Sequence, residues 1–206
     1  SGGGSRLASR ADSAAAARAA LAGAPRDVTP AWRALLFDAS LRDRVTGAGV
    51  LPAEDALRLG TVGPAARASG VGDDARARSP RLWYPGFAAV PVTDPAGDVA
   101  ARMEARAGEL TQTFAILDEL LASAHGTGGA GREGLPLGHG AGRVESARGE
   151  TTCVVELESA RVRRVRLRTS SYANWTAVAR AATGAILPDF PLVNKSFELC
   201  YACVDR

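Results

Sequence analysis

The chain has 206 residues, 46% of them hydrophobic and 23% charged, and a formal net charge of +3. That length suits one domain or the larger part of one, and no run approaches the roughly 18 consecutive apolar residues that a membrane-spanning helix needs. Lys195 is the only lysine beside many arginines, a bias that with abundant Ala and Gly reads as genome base composition, so no nucleic-acid partner is expected. Three unevenly spaced cysteines make no disulfide framework, and the Gly/Ser/Arg-rich start has no signal-peptide core, which together predict a cytoplasmic location.

In chain order, residues 1–10 read as a flexible segment, a linker or a cut end. The alanine-rich stretch Ala11 to Leu21 predicts a helix by propensity. Thr29-Pro30 predicts an N-cap with proline at the first helical position, opening a helix to about Val45 with Trp32, Leu35 and Leu36 on its apolar stripe. Pro52, Glu54 and Asp55 mark another helix start, and Gly60 its end. Gly63 to Gly70 reads as a loop. Val71 to Gly97, broken by Pro80, Pro85, Pro91 and Pro95, reads as a second, anchored by Trp83, Tyr84 and Phe87.

The clearest helix spans Asp98 to Ala122, with Val99, Met103, Leu110, Phe114, Leu117 and Leu121 on a face expected to be buried in bundle-type packing. His125 to Gly142 is a glycine-rich connector. Thr152 to Glu158 and Val162 to Arg168 predict two antiparallel strands turning near Ser159-Ala160. Ser170 or Ser171 then caps a helix through Tyr172, Trp175 and Val178 to Thr183, closed by Gly184. The expected class is mainly α with a small antiparallel β element (α+β), a helical bundle.

Several features invite a chemical reading that their context refuses. Gly126 to Gly131 fits G-x-G-x-x-G, but a helix precedes it and a strand follows, the reverse of the dinucleotide fingerprint. His139, between Gly138 and Gly140, reads as a solvated turn histidine rather than a ligand, and His125 likewise. Arg161, Arg163, Arg164, Arg166 and Arg168 are either a basic patch for phosphate or an acidic partner, or cross-strand neighbours of Glu156 and Glu158; the second is expected. Cys153, beside Val155 and Leu157, is expected to be a buried, inert thiol.

The last eleven residues hold Cys200 and Cys203 as a C-x-x-C pair. Such a pair can bind one soft metal ion or close into a disulfide, and supplies half of a four-thiolate site. Four blocks accompany it: Gly49 to Gly60, Gly63-Pro64-Ala65-Ala66-Arg67-Ala68-Ser69-Gly70, Glu145-Ser146-Ala147-Arg148-Gly149-Glu150, and Asp189 to Ser196. In this order they resemble the carboxy-terminal part of the large subunit of energy-converting nickel–iron hydrogenases and of the related large subunit of the complex I quinone module. The resemblance runs from about Gly47 to Arg206 and more weakly from Gly2 to Arg44.

The resemblance implies that residues 1–206 form the carboxy-terminal half of that fold. Cys200 and Cys203 would be metal ligands of a nickel–iron centre completed by an amino-terminal cysteine pair that this chain lacks. Arg148, with Glu145 close by, would project over the metal, where a guanidinium orients a gas molecule or water and stabilises negative charge. The plain structural alternative pairs Arg148 with Glu145 or Glu150. Ala147 replaces the proline of the family's E-A-P-R-G-E, Glu198-Leu199 replaces its Asp-Pro, and Pro52 replaces its more usual serine. Implied partners are an iron–sulfur small subunit, membrane subunits, and a missing amino-terminal half or companion chain, with the complex peripheral on the cytoplasmic side of the inner membrane. The alternative is a metal-free, complex I-like scaffold or a quinone-reducing NADH dehydrogenase-type subunit. In either case the isolated chain is expected to be inactive, with Arg206 a processed end.

Overall fold

The computed structural model describes residues 11–80, 89–123, 138–159 and 161–204. Trp83, Tyr84, Phe87, His125 and the Gly126 to Gly131 run lie outside them.

The first helix, α1, spans Ala11–Phe37 without a break and carries Pro25 and Pro30 inside it. The expected new start at Thr29 is therefore wrong. The break falls instead at Asp38, whose carboxylate accepts the Leu41 N–H at 2.7 Å and opens α2, Ala39–Val45. Each internal proline costs α1 a backbone hydrogen bond. The helix holds its course by lying along α6, Val99–Ser123, with Arg18 bonded to Asp118 at 3.0 Å.

Helix α3, Ala53–Arg58, follows extended Pro52, carries Glu54 and Asp55 in its first turn and stops before Gly60 at φ 63°, as expected. The two expected loops contain helical turns: α4, Pro64–Arg67, and α5, Ala75–Arg78, the latter capped by Asp74, whose carboxylate accepts the Arg76 N–H at 2.8 Å. Gly63 and Pro64 were read as part of a loop; the structure makes Gly63 the N-cap of α4 and Asp74 that of α5.

The sheet has three strands rather than two. Strand β1, His139–Ser146, pairs antiparallel with β2, Gly149–Glu158, which pairs with β3, Arg161–Arg168. The missed strand is the Gly-rich run around Gly140 and Gly142, whose weak strand propensity hid it; the ladder to β2 holds it in place. Helix α7, Ser170–Ala181, and helix α8, Phe190–Phe197, complete the order, with 3-10 turns at Leu187–Asp189 and Tyr201–Cys203. The fold is α+β, as expected.

The main core gathers Val45, Leu51, Ala56, Ala65, Val99, Ala177, Val178, Ala181, Val193 and Phe197. Leu51, Val193 and Phe197 are essentially inaccessible, and each contributes about 1.5–3 kcal/mol by burial. Helix α6 buries only the start of the predicted stripe: Val99 lies in the main core with Met103 packed against it, and Phe114, Leu117 and Leu121 are half-buried. Its first turns bury Val99, Ala101 and Ala105, with Ala101 and Ala105 against Ala68, whereas Leu110 is exposed. Arg102 of the same turns is also inaccessible. It donates to Gly97 O (2.7 Å), Gly49 O (2.8 Å) and Ser196 Oγ (2.8 Å), and its guanidinium lies 4.3 Å from the Phe197 ring centre. Burial lowers its pKa to about 9.

Gly97 is the knot of this region. At φ 69° it accepts from Leu51 N–H and Arg102 and donates to Ala68 O at 2.7 Å, and a Cβ there would stand 2.3 Å from Leu51 O. Gly97→Ala combines left-handed strain with a backbone clash and is expected to cost about 2–4 kcal/mol. Urea denaturation of the two proteins side by side measures it; an unchanged midpoint would contradict this packing.

Candidate functional site

The β1–β2 hairpin closes through Ala147 and Arg148, between Ser146 and Gly149. Its tip is seated by contacts from elsewhere in the chain. Gly63, at φ 73°, lies so close that a Cβ there would come within 2.3 Å of Arg148 O. Buried Asn174 of α7 accepts Val62 N–H at 2.9 Å and donates from Nδ2 to Val62 O at 3.0 Å and to Arg148 O at 3.5 Å. The Gly63 block, the hairpin and α7 are thereby tied together.

From this tip the Arg148 Nε–H donates to Glu198 O. Glu198 ends α8 in the left-handed conformation, φ 57°, which turns the chain into the cysteine pair. Arg148 pairs with neither Glu145 nor Glu150; Glu150 is bound by Arg78 and Glu145 by Arg67.

The cysteine segment is docked on the first turn of α7. The N-cap is Thr169, not Ser170 or Ser171: its Oγ1 accepts Tyr172 N–H at 3.1 Å and donates to Cys203 O at 3.0 Å. Ser171 Oγ accepts the Cys200 N–H at 3.0 Å, and Ser170 Oγ lies 3.1 Å from Ser146 Oγ. Tyr201, between the cysteines, packs against Trp175 with ring centres 5.2 Å apart and planes tilted by 42°, and its OH accepts from Asn194 Nδ2 at 3.0 Å.

Cys200 and Cys203 are half-buried thiols. A hydrogen bond from Cys203, helped by backbone N–H groups and by the charge of Arg148, pulls the Cys200 thiol below its usual pKa. Such a pair suits a soft metal ion. Among the described residues, however, no group of three or more His, Cys, Asp or Glu is placed to hold one. Two thiols at this spacing are two of the ligands a four-thiolate centre needs, and the described residues supply no others beside them. Cys153, opposite Gly142 and Leu167 in the sheet, is half-buried rather than buried as expected.

Glu145 faces a different environment. One oxygen accepts from Arg67 Nη1 at 3.1 Å and the other from Ala75 N–H at 3.2 Å. Arg67, fully inaccessible, also forks onto Glu109 at 2.5 and 3.0 Å and lies 3.4 Å from Asp74. The structure thus places the two residues of the E-S-A-R-G-E block in separate networks: Arg148 beside the cysteine pair, Glu145 in the Arg67 cluster. Sequence reasoning missed Arg67, Glu109, Asn174, Thr169 and the seating role of Ser171. Arg67 had a signal, its place in the Gly63 block; Asn174 had none.

His139 opens β1 and is exposed. The β3 arginines are cross-strand neighbours of the β2 glutamates, as expected: Arg164 stands opposite Glu156 and Arg161 opposite Glu158, Arg163 lies 3.8 Å from Glu158 with both side chains exposed, and Arg168 donates to Gly60 O. Val144, Val162, Val165 and Leu167 are exposed on one face of the sheet.

The sequence matches the family described as respiratory-chain NADH dehydrogenase, 49 Kd subunit, over residues 2–131 and 129–206. The chain belongs to that family. It is 31% identical over 172 residues to a carbon monoxide-induced hydrogenase of Rhodospirillum rubrum, covering 81% of this chain and 47% of the relative. It is 30% identical to the alpha subunit of a membrane-bound hydrogenase of Pyrococcus furiosus, covering 83% and 44%. It is 31% identical to an NADH-quinone oxidoreductase subunit of Chlorobium phaeovibrioides, covering 79% and 44%. The chain thus spans about half the length of these relatives, which are hydrogenases on one side and a quinone oxidoreductase subunit on the other. No helix among the described residues is long and apolar enough to cross a membrane.

Burial pushes the Glu145 carboxyl above its usual pKa, and the charge of Arg67 does not fully offset it. The folded form then binds the proton more tightly than the unfolded form. Relative to Glu145→Gln, the wild type should lose stability as pH rises from about 4.5 through the raised pKa, and run parallel to it below that window. Urea midpoints between pH 4 and 8 provide the check; parallel curves throughout would remove Glu145 from the buried cluster.

Proposed function

We propose that this chain, residues 1–206, is the carboxy-terminal half of the large subunit of a membrane-associated hydrogenase-type oxidoreductase complex. Cys200 and Cys203 supply two of four thiolates to a nickel–iron centre, and a second cysteine pair comes from a preceding segment or a companion chain. Soft, strongly donating thiolates suit both metals. The observation that carries the reading is the seating of the C-x-x-C pair beside Arg148, which is held at the tip of the hairpin. When bound, the centre would supply the chemistry of interconverting hydrogen with protons and electrons. Arg148 would present its guanidinium to the space next to Cys200 and stabilise negative charge there.

Glu145 keeps a supporting role in this reading, fixing the end of the strand that leads into Arg148. An iron–sulfur small subunit and membrane subunits would carry electrons and hold the assembly at the inner membrane. The second reading is a metal-free, complex I-like scaffold or quinone-reducing subunit. It is favoured by Glu198-Leu199 in place of Asp-Pro and by the NADH-quinone oxidoreductase relative.

Anaerobic purification from the native host, followed by metal analysis, separates the two. Nickel and iron in equal amounts, together with a C-x-x-C pair on the same or a companion polypeptide, supports the first reading. Absence of both metals with unmodified Cys200 and Cys203 supports the second. In a metal-loaded complex, Arg148→Lys should retain the metals while slowing hydrogen turnover on the order of 10²-fold, the scale of losing one preorganised charge donor.

A further inference from the structure

On the side of the hairpin turned toward α6 lies a cleft of about 440 Å3, walled by Pro64, Leu110, Thr113 and Ala147 and bearing Arg106, Arg76, Glu109 and Glu145. Most of its charges are already spoken for. Arg67 forks onto Glu109 and bonds Glu145, and Arg76 bonds both oxygens of Asp74. Arg106 stands apart. Its Nη1 donates to Arg102 O at 3.0 Å, and it forms no ion pair among the described residues. A guanidinium carries five N–H donors in a rigid fork, so among the described residues most of Arg106's donors have no protein acceptor. Burial disfavours its charge, and Arg148 and Arg67 add like-charge repulsion against the pull of Glu198 and Glu109. An incoming anion would offset the like-charge repulsion and stabilise the charge that burial disfavours.

The walls decide what kind of anion. Pro64, Leu110 and Ala147 are apolar, and about 440 Å3 lies in the roughly 300–1,000 Å3 range of small-molecule sites, far more than a bare oxyanion fills. We propose that this cleft binds a small amphiphilic carboxylate, its carboxylate on Arg106 and its apolar body against Leu110, Pro64 and Ala147. A planar carboxylate accepts two parallel N–H bonds from one guanidinium, and the apolar body adds area removed from water. The site is independent of the cysteine pair and of whether a metal is ever held there.

Benzoate is the probe, titrated into the full chain at pH 7 by calorimetry and by the NMR shift of the Arg106 Nε–H. The expected result is saturable one-site binding, with neutral benzamide and inorganic phosphate each at least about tenfold weaker. Arg106→Gln should weaken benzoate at least about tenfold. Leu110→Glu should do the same from an exposed position, because it sets a competing carboxylate one helical turn from Arg106. Leu110→Glu decides the matter if Arg106→Gln melts early. The proposal is overturned by unsaturable binding, by benzamide or phosphate binding as tightly as benzoate, or by undiminished affinity in the folded variants.

Discussion

The structure depends first on one buried cation. Arg67 is inaccessible to solvent and meets three carboxylates, on Asp74, Glu109 and Glu145, that come from the α4–α5 connection, the middle of α6 and the end of β1. Burial alone would lower its pKa; the Glu109 hydrogen bond and the surrounding negative charges outweigh that and raise it. A charge taken out of water is tolerable only when its hydrogen bonds are met, and removing one partner from such a group typically costs about 3–5 kcal/mol. The cluster therefore fixes where β1 ends. Because Arg148 lies three residues past Glu145, the position of the hairpin tip follows from the position of Arg67.

A second buried arginine solves the same problem differently. Arg102 has no carboxylate bonded to it and satisfies itself with two carbonyls, the Ser196 hydroxyl and the face of Phe197. These partners join α6 to the end of α8, two residues before the left-handed Glu198 that aims the chain at Cys200. One arginine thus sets the hairpin and the other sets the cysteine segment. Arg148 bridges the two, from the tip of the first to the last turn of the second. The lowered pKa of Arg102 still leaves it overwhelmingly protonated at neutral pH, so the joint persists under ordinary conditions.

These two arginines also explain which parts of the fold were legible. Helix α6 was found by its apolar spacing, which named Val99 and Met103 on its core face but not the residues buried beside them. A second contact uses Ala101 and Ala105 with Arg102 between them, because small side chains let α6 approach Ala68 closely while a long polar one reaches past them to backbone carbonyls. Periodicity reads size and apolarity, so a core of alanines and satisfied arginines is nearly silent to it. The same limit hid α1's continuity: Thr29-Pro30 signals a new helix start, and the packing along α6 overrides it. At the site, the C-x-x-C pair and the E-S-A-R-G-E block were legible as words. That Glu145 and Arg148 serve separate networks was not, since adjacency in sequence says nothing about which side of a hairpin each side chain takes.

What the described residues lack is as specific as what they contain. Two thiols are seated by α7's cap and second residue, a guanidinium is brought beside them, and no third ligand approaches. The seating costs backbone freedom on both sides of the pair, and a disordered C-x-x-C tail would serve equally well if the cysteines only needed to be reduced thiols. The structure spends a left-handed residue, an N-cap hydroxyl and a buried serine on orienting them. Val144, Val162, Val165 and Leu167 meanwhile leave an apolar sheet face open, in a chain about half as long as its relatives. An exposed apolar sheet face and a C-x-x-C pair seated by three separate contacts are the two features of the described residues that their own packing does not require.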